Sequence, residues 1–238
     1  MRHETFPDAE LYLGDNREIM PTLKNIDALI SDPPYGINFQ YRGGGGGMKA
    51  VSHTDKIIGD DKPFDPTPLL GYPKVVLFGV DHYCQHIPEY AGSWITWDKS
   101  VGCGPNALFS DAEYIWSSVK TARNIYRHMW MGLIRQGEEA SSKQKRVHVS
   151  QKPVALMQWL IEVARVKVGA TILDPYMGSG STGVAALRTG RKFVGIEIDP
   201  GHFDTACRRI ASVYKGERAT LDQPYDNRPE AGLPQERP

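Results

Sequence analysis

The sequence predicts an α/β fold on an open, mostly parallel sheet, and three observations predict it. Two apolar runs, Ile26–Ile30 and Ala170–Leu173, read as buried parallel strands. Each run stops at an acid-proline turn, Asp32-Pro33-Pro34-Tyr35 after the first and Asp174-Pro175-Tyr176-Met177-Gly178-Ser179-Gly180 after the second. The second turn leads into helical periodicity and then a further strand. In such sheets the carboxyl edge of the strands is where ligands bind. Two carboxylate-bearing turns on that edge point to one crevice shared by two reacting groups.

The elements follow in order. Glu10–Leu13 reads as a strand ending at Gly14-Asp15, and Ile19–Leu23 as a short helix. After Tyr35 a loop carries five consecutive glycines, Gly43 to Gly47, which cannot hold one conformation cheaply. Lys74–Val80 and Ser93–Trp97 are β-branched or aromatic runs and predict strands; Glu113–Val119 is a weaker candidate. Apolar residues at 156, 157, 160, 161 and 164 predict a helix over Pro153–Val166, with Pro153 in its first turn. A second helix is expected over Thr182–Thr189, capped by Gly190, followed by a strand over Lys192–Ile198. The domain is expected to span 1–214. Beyond it Pro224, Pro229, Pro234 and Pro238 sit among charged residues without periodicity, which predicts a disordered tail over 215–238.

Composition narrows the class. The 238 residues carry 28 basic and 28 acidic side chains, so any affinity for nucleic acid must come from a local patch. Cys84, Cys103 and Cys207 are scattered, which argues against a disulfide framework or zinc knuckle and for a reducing cytoplasm. No membrane-spanning stretch or signal segment is expected. His53, His82 and His86 lack the spacing of a metal site, so none is predicted. Trp94, Trp97 and Trp116 are expected in the core, and Asp98 with Lys99 as a surface ion pair.

The glycine turn has the makings of a nucleoside-cofactor site. Gly178-Ser179-Gly180-Ser181-Thr182-Gly183 matches a Gly-x-Gly-x-x-Gly pattern between strand and helix, and Glu197 lies 19 residues after Gly178. An acid at about that spacing can accept both hydroxyls of an adenosine ribose. Asp174 at the lip would repel a pyrophosphate yet suit an ammonium, which favours S-adenosylmethionine (AdoMet) over a dinucleotide.

The other turn suits methyl transfer to an exocyclic amino group. That nitrogen is a poor nucleophile because its lone pair is delocalised into the ring. Asp32 and the carbonyl of Pro33 can each accept one N–H, freeing the lone pair and stabilising the charge that develops. Pro33 and Pro34 fix the backbone, and Tyr35 offers a face for stacking. The rest is positional, without need of a metal.

On these residues the chain resembles the amino-methylating DNA methyltransferases, in the permuted group whose catalytic motif precedes the AdoMet motif. Asp32-Pro33-Pro34-Tyr35 is similar to that catalytic motif, and Asp174 to Gly180 to the AdoMet motif, with Tyr176 where the family usually has Phe. Gly14-Asp15 and His148-Val149-Ser150-Gln151-Lys152-Pro153 match two further motifs near the cofactor. The resemblance implies a doubly wound seven-stranded sheet with helices on both faces, a flipped target base, and double-stranded DNA as substrate. It implies Asp32, Pro33, Pro34 and Tyr35 as catalytic residues. It implies cofactor contacts from Asp15, Asp32, Lys152, Asp174, Tyr176, Gly178, Ser179, Gly180, Thr182 and Glu197.

Target recognition is expected from the short segment 120–146, where Arg123, Arg127, Arg135, Lys143, Lys145 and Arg146 interleave with Tyr126 and Trp130. Arg42 and Lys49, flanking the glycine run, join them as candidate DNA contacts. So short a segment predicts a short or degenerate site, or help from a second subunit in a homodimer. An Asp at position 32 leans toward adenine N6; cytosine N4 is the nearest alternative. RNA or a protein amide as substrate, a non-catalytic DNA-binding regulator, and an NAD-dependent dehydrogenase are the remaining alternatives.

Overall fold

The computed structural model describes residues 2–39, 57–89, 91–101, 110–131, 134–135 and 151–216. Its strands are β1 (Arg2–Phe6), β2 (Ala9–Leu13), β3 (Ala28–Ser31), β4 (Val75–Phe78), β5 (Ser93–Asp98), β6 (Ala112–Ser117), β7 (Ile125–Arg127), β8 (Trp130–Met131), β9 (Ile134–Arg135), β10 (Thr171–Asp174) and β11 (Lys192–Glu197). Its helices are α1 (Asn16–Ile19), α2 (Val154–Val163), α3 (Ser181–Arg188) and α4 (Pro200–Tyr214).

Nine strands form one sheet in the order β1-β2-β11-β10-β3-β4-β6-β5-β7, and β8 and β9 form a separate hairpin. The sheet thus has nine strands where seven are expected, with β1 and β7 at its two edges. Five of its pairings are parallel: β2–β11, β11–β10, β10–β3, β3–β4 and β5–β7. Strand β6 runs antiparallel between β4 and β5, and β1 runs antiparallel to β2. The strand before the Asp32 turn therefore comes early in the chain yet pairs directly with β10, the strand before the glycine turn.

The central strands β3 and β4 are buried at every position, as their unbroken apolar runs require. Alternate residues serve opposite layers. Ala28, Ile30, Val76 and Phe78 pack with side chains of α2, α3 and α4, whereas Leu29, Val75 and Leu77 pack with Ile19, Leu69, Val80 and Tyr83. The second layer differs from the expectation of helices on both faces. Among the described residues it consists of α1 and short 3-10 turns at Thr67–Leu69, Val80–His82 and Cys84–His86. The reason is composition: Pro63, Pro66, Pro68 and Pro73 interrupt the connection into β4 and forbid a long helix there.

Helix α2 starts at Val154, with Pro153 just outside it in an extended conformation. Helix α3 ends with Gly190 in the left-handed region (φ 71°), as its sequence requires. The carboxylate of Asp199 caps α4 by accepting from the His202 N–H at 2.8 Å. Trp97 and Trp116 are core residues, but Trp94, the cross-strand partner of Trp116, is 46% exposed. The expected tail, from residue 217 onward, lies outside the described residues.

Tyr126, expected among base-reading residues, is instead buried against Trp159 of α2, with ring centroids 4.9 Å apart. Beside it His128 is 3% exposed, and among the described residues neither ring nitrogen has a hydrogen-bond partner. Burial pulls the imidazole pKa down from 6.5 to about 4. The unfolded chain binds a proton there first, so stability is full above pH 6.5 and is lost as pH falls toward 4. The loss is up to about 3 kcal/mol. Thermal melts from pH 7 to 4.5 should show this acid slope, and His128→Phe should flatten it.

Candidate active site

The crevice begins with strand pairing. Ile172 pairs with Ala28 and Leu173 with Leu29, so the ends of β3 and β10 emerge side by side at the carboxyl edge. Ser31, the last residue of β3, donates its hydroxyl to Asp174 Oδ1 at 2.6 Å. Thr182 Oγ1 in the first turn of α3 donates to Oδ2 at 2.6 Å, and the Tyr176 N–H donates to Oδ1 at 3.1 Å. Asp174 thus joins the catalytic-type turn, the glycine turn and α3. At 3% exposure it is not a free carboxylate at the lip, which corrects the reason for assigning it to an ammonium. Burial pushes its pKa up to about 6 against the three donors.

The glycine turn is held on three sides. Arg209 of α4 donates to the Ser179 carbonyl at 2.7 Å and to the hydroxyls of Ser179 and Ser181 at 3.0 and 3.1 Å. Asn16 donates to the Pro175 carbonyl at 3.1 Å, and the Phe64 ring meets Tyr176 edge-on. The Gly178 N–H donates to Glu197 Oε2 at 2.9 Å, while Oε1 accepts from the N–H groups of Ile198 and Asp199. Burial raises the Glu197 carboxyl against those donors. A side chain at Gly178 (φ 51°) would point into open space, so its backbone is accessible to a ligand. Gly180 (φ 80°) instead packs on Ala206, and the loop continues into the N-terminus of α3. Asp15 caps α1 and is occupied by Arg17, while the Gly14 N–H donates to the Glu197 carbonyl at 2.9 Å.

The other wall carries charge. Tyr35 donates its hydroxyl to Asp32 Oδ1 at 2.6 Å, and Lys152 Nζ donates to Oδ2 at 2.6 Å. Tyr35 stacks on His82 (5.2 Å between centroids, 21° between planes) and covers Gly79, where a side chain would collide with its ring. Behind Lys152 lies Glu113 of β6, with Oε2 at 3.3 Å from Nζ, and Lys99 follows at 3.1 Å from Oε1. Burial pushes Asp32 up; Lys152 opposes the rise and Glu113 adds to it. Burial also pulls Lys152 down, but Asp32 and Glu113 outweigh it and hold the ammonium above its ordinary pKa. For Glu113 burial acts upward and the two lysines win, leaving it below its ordinary value.

Asp60 completes the wall. Buried to 3% exposure, its carboxylate accepts from the N–H groups of Gly36, Ile37 and Phe39 at 2.8, 3.3 and 2.6 Å. It fixes the backbone leaving the Asp32 turn.

The fold therefore gathers Asp32, Pro33, Pro34, Tyr35, Lys152, Asp174, Tyr176, Gly178, Ser179, Gly180, Thr182 and Glu197 along one edge, with Asp15 beside β11. Lys152, expected beside a cofactor, is paired with Asp32. Of the expected DNA contacts, Arg123 is exposed and Arg127 lies 3.7 Å from Asp98. Arg42, Lys49, Lys143, Lys145 and Arg146 lie outside the described residues, as do the glycine run and the side chain of Arg135. Asp98 and Lys99 do not pair with each other: Asp98 accepts from Ser100 and Val101, and Lys99 turns to Glu113. Trp130 anchors the approach to α2, donating its indole N–H to the Gln151 carbonyl at 3.1 Å. Glu113, Lys99, His82 and Asp60 had no motif to mark them. Among the described residues no cluster suits a metal ion, and no helix is long and apolar enough to cross a membrane.

The sequence and the fold are similar to those of known methylases. The family model described as DNA methylase matches residues 116–208, which include Lys152, the glycine turn and Glu197. The type II methyltransferase M2.DpnII of Streptococcus pneumoniae is 34% identical over 134 residues, 49% of each chain. Over these stretches the chain is similar to DNA methylases of the N6/N4 amino-methylating type. The YubD protein of Escherichia coli (strain K12) is 28% identical over 220 residues, covering 85% of this chain and 90% of its own. Two solved structures share the fold. M1.HpyAVI, solved as a SAM complex, has a TM-score of 0.54 and 24% identity, over 85% of this chain and 98% of that one. The PvuII DNA methyltransferase, described as cytosine-N4-specific, has a TM-score of 0.58 and 14% identity, over 91% and 94%.

Asp60 should matter although it lies outside every motif. Asp60→Ala leaves three backbone N–H groups without their acceptor and should cost about 1–3 kcal/mol in denaturant unfolding. Hydrogen exchange should quicken at the amides of Gly36, Ile37 and Phe39 beyond the global change.

Proposed function

We propose that this chain transfers a methyl group from AdoMet to the N6 amino group of adenine in double-stranded DNA, with the base flipped out of the duplex. The observation that carries the reading is the adjacency of the Asp32 and Gly178 turns on paired strands, stapled through Ser31 and Asp174. Two reactants held by those turns would meet within one crevice. A base inside a stacked duplex could not reach it, hence the flip.

The residues present fit the cofactor. Glu197, at the end of β11, is placed to accept ribose hydroxyls with the lone pairs its backbone donors leave free. The open side of Gly178 and the N-terminus of α3 admit a ligand backbone-close. Tyr176 and Asp15 border the same turn. AdoMet, when bound, supplies an electrophilic methyl on a sulfonium. Asp174 serves this site from behind, as the anchor of the loop.

Across the crevice Asp32 does the chemical work. Each of its oxygens carries one hydrogen bond, from Tyr35 or Lys152, and keeps acceptor capacity for an amino N–H. With the Pro33 carbonyl taking the second N–H, the nitrogen is drawn toward tetrahedral geometry and its lone pair is freed for attack. Tyr35, backed by His82, presents the other ring face to the base. The ionised Asp32 stabilises the positive charge that grows on nitrogen. The acid at position 32 favours adenine; Arg123 and Arg127, with the basic residues at 135, 143, 145 and 146, are the phosphate contacts of this reading, with Arg42 and Lys49 near the base.

Incubation with tritiated AdoMet and DNA, followed by nucleoside mass spectrometry, should yield N6-methyladenine. N4-methylcytosine as the product would move the specificity to cytosine, and absence of any methylated base would defeat the reading. Asp32→Ala should lower turnover by about 10²-fold or more. AdoMet affinity by calorimetry should change little, and NAD should not bind.

A further inference from the structure

We propose that Glu113 is a positioning residue of the transfer reaction, holding the Lys152 ammonium so that Asp32 keeps its capacity to accept the substrate amino group. The proposal rests on the methyl-transfer reading of the site. Its ground is a chain of alternating charge, Asp32–Lys152–Glu113–Lys99, with successive N···O separations of 2.6, 3.3 and 3.1 Å. The side chains are shielded: Lys152 is 10% exposed, Lys99 13%, Asp32 22% and Glu113 24%.

Sheet topology explains why an acid from β6 reaches this edge. Phe78 at the end of β4 pairs with Ile115, and the Gly79 N–H donates to the Tyr114 carbonyl. Because β6 is antiparallel, its beginning projects past the ends of the parallel strands. Glu113 shares a sheet face with Ile115 and with its cross-strand partner Trp97. Lys99, just past the end of β5, arrives at the same edge with its ammonium 5.8 Å from the Trp97 ring.

A lysine has three donors on a flexible stem, and with Asp32 as sole anion it would settle fully on that carboxylate. Glu113 draws the ammonium from the far side, and the Phe78 ring 5.2 Å away flanks it. Asp32 is then paired without being saturated. The groups facing Asp32 are Tyr35 from its own turn, Tyr83 from the segment after β4, Asp174 on β10, Lys152 before α2 and Glu113 on β6. Glu113 in turn faces Lys99 and Lys152.

Charge arithmetic gives the sign. Loss of the Glu113 anion removes a like charge from beside Asp32 and releases Lys152 wholly to it, so Asp32 becomes more acidic and a poorer acceptor. Loss of Lys99 acts the other way, since an uncompensated Glu113 competes harder for Lys152.

The experiment compares wild type, Glu113→Gln and Lys99→Met as full-length chains. For Glu113→Gln, kcat should fall about tenfold with AdoMet affinity within about twofold, and the acid limb of the pH–rate profile should move to lower pH. For Lys99→Met the acid limb should move to higher pH, which keeps the test decisive if one variant folds poorly. Unmoved acid limbs in both variants overturn the proposal, as does a loss of AdoMet affinity equal to the fall in rate. The ¹³C titration of the Asp32 carboxyl, assigned with Asp32→Asn, separates the two layers of argument. A shifted titration in a chain that methylates nothing defeats the reading of the site but retains the charge coupling. An unshifted titration beside intact wild-type turnover defeats the role of Glu113 and leaves that reading standing.

Discussion

One buried carboxylate sets the geometry of the crevice. Asp174 takes donors from β3, from its own loop and from α3, and through them fixes two turns that are 143 residues apart in sequence at Ser31 and Asp174. Burying a carboxylate is expensive unless its lone pairs are used, and here three donors use them. The same bonds that relieve the burial also align the loops. Strand pairing alone brings β3 and β10 within reach; the staple decides how their ends face one another.

The opposite wall solves a different electrostatic problem. Several ionisable groups stand within one shielded corner, and each would be costly by itself. Alternation of sign resolves it: every carboxylate has an ammonium beside it and every ammonium a carboxylate. The arrangement gives each Asp32 oxygen one hydrogen bond, from Tyr35 and from Lys152. A completely paired Asp32 would be a stable structural residue with little left to offer a substrate. Asp60 shows the contrast, since it accepts from three backbone amides, two of them on one oxygen, and braces the loop.

Legibility in the sequence followed the range of the interactions. Strands β3, β4, β10 and β11 announced themselves because residues buried on both faces must be apolar without interruption. The two acid-proline turns and Glu197 were legible because glycine and proline constrain backbone locally and the spacing follows from one βαβ unit. Strand β6 was faint: its mixture of exposed and buried residues reflects a face that changes environment along its length. Strand β1, the β8–β9 hairpin and the final helix α4 carry no motif and short or mixed patterning. The exposed, ammonium-facing lip expected of Asp174 is replaced by a buried, three-donor carboxylate, because burial cannot be read from a residue's type. The base-reading role of Tyr126 failed likewise, since an aromatic among basic residues looks the same whether it faces DNA or Trp159.

Glu113 marks where such reading stops and topology takes over. Nothing in Ala112–Ser117 says that this strand inserts between β4 and β5 in the reverse direction. That reversal is what carries its first residues to the carboxyl edge, which parallel strands reach only with their last ones. An acid placed there approaches Asp32 from a part of the chain with no motif of its own. The sheet thus supplies the crevice with groups from both strand directions: turns from the ends of the parallel strands, and the beginning of β6, whose Glu113 meets Lys152. A residue of the second kind is recognisable from what it touches, Lys152 and Lys99, and from the direction of the strand that bears it.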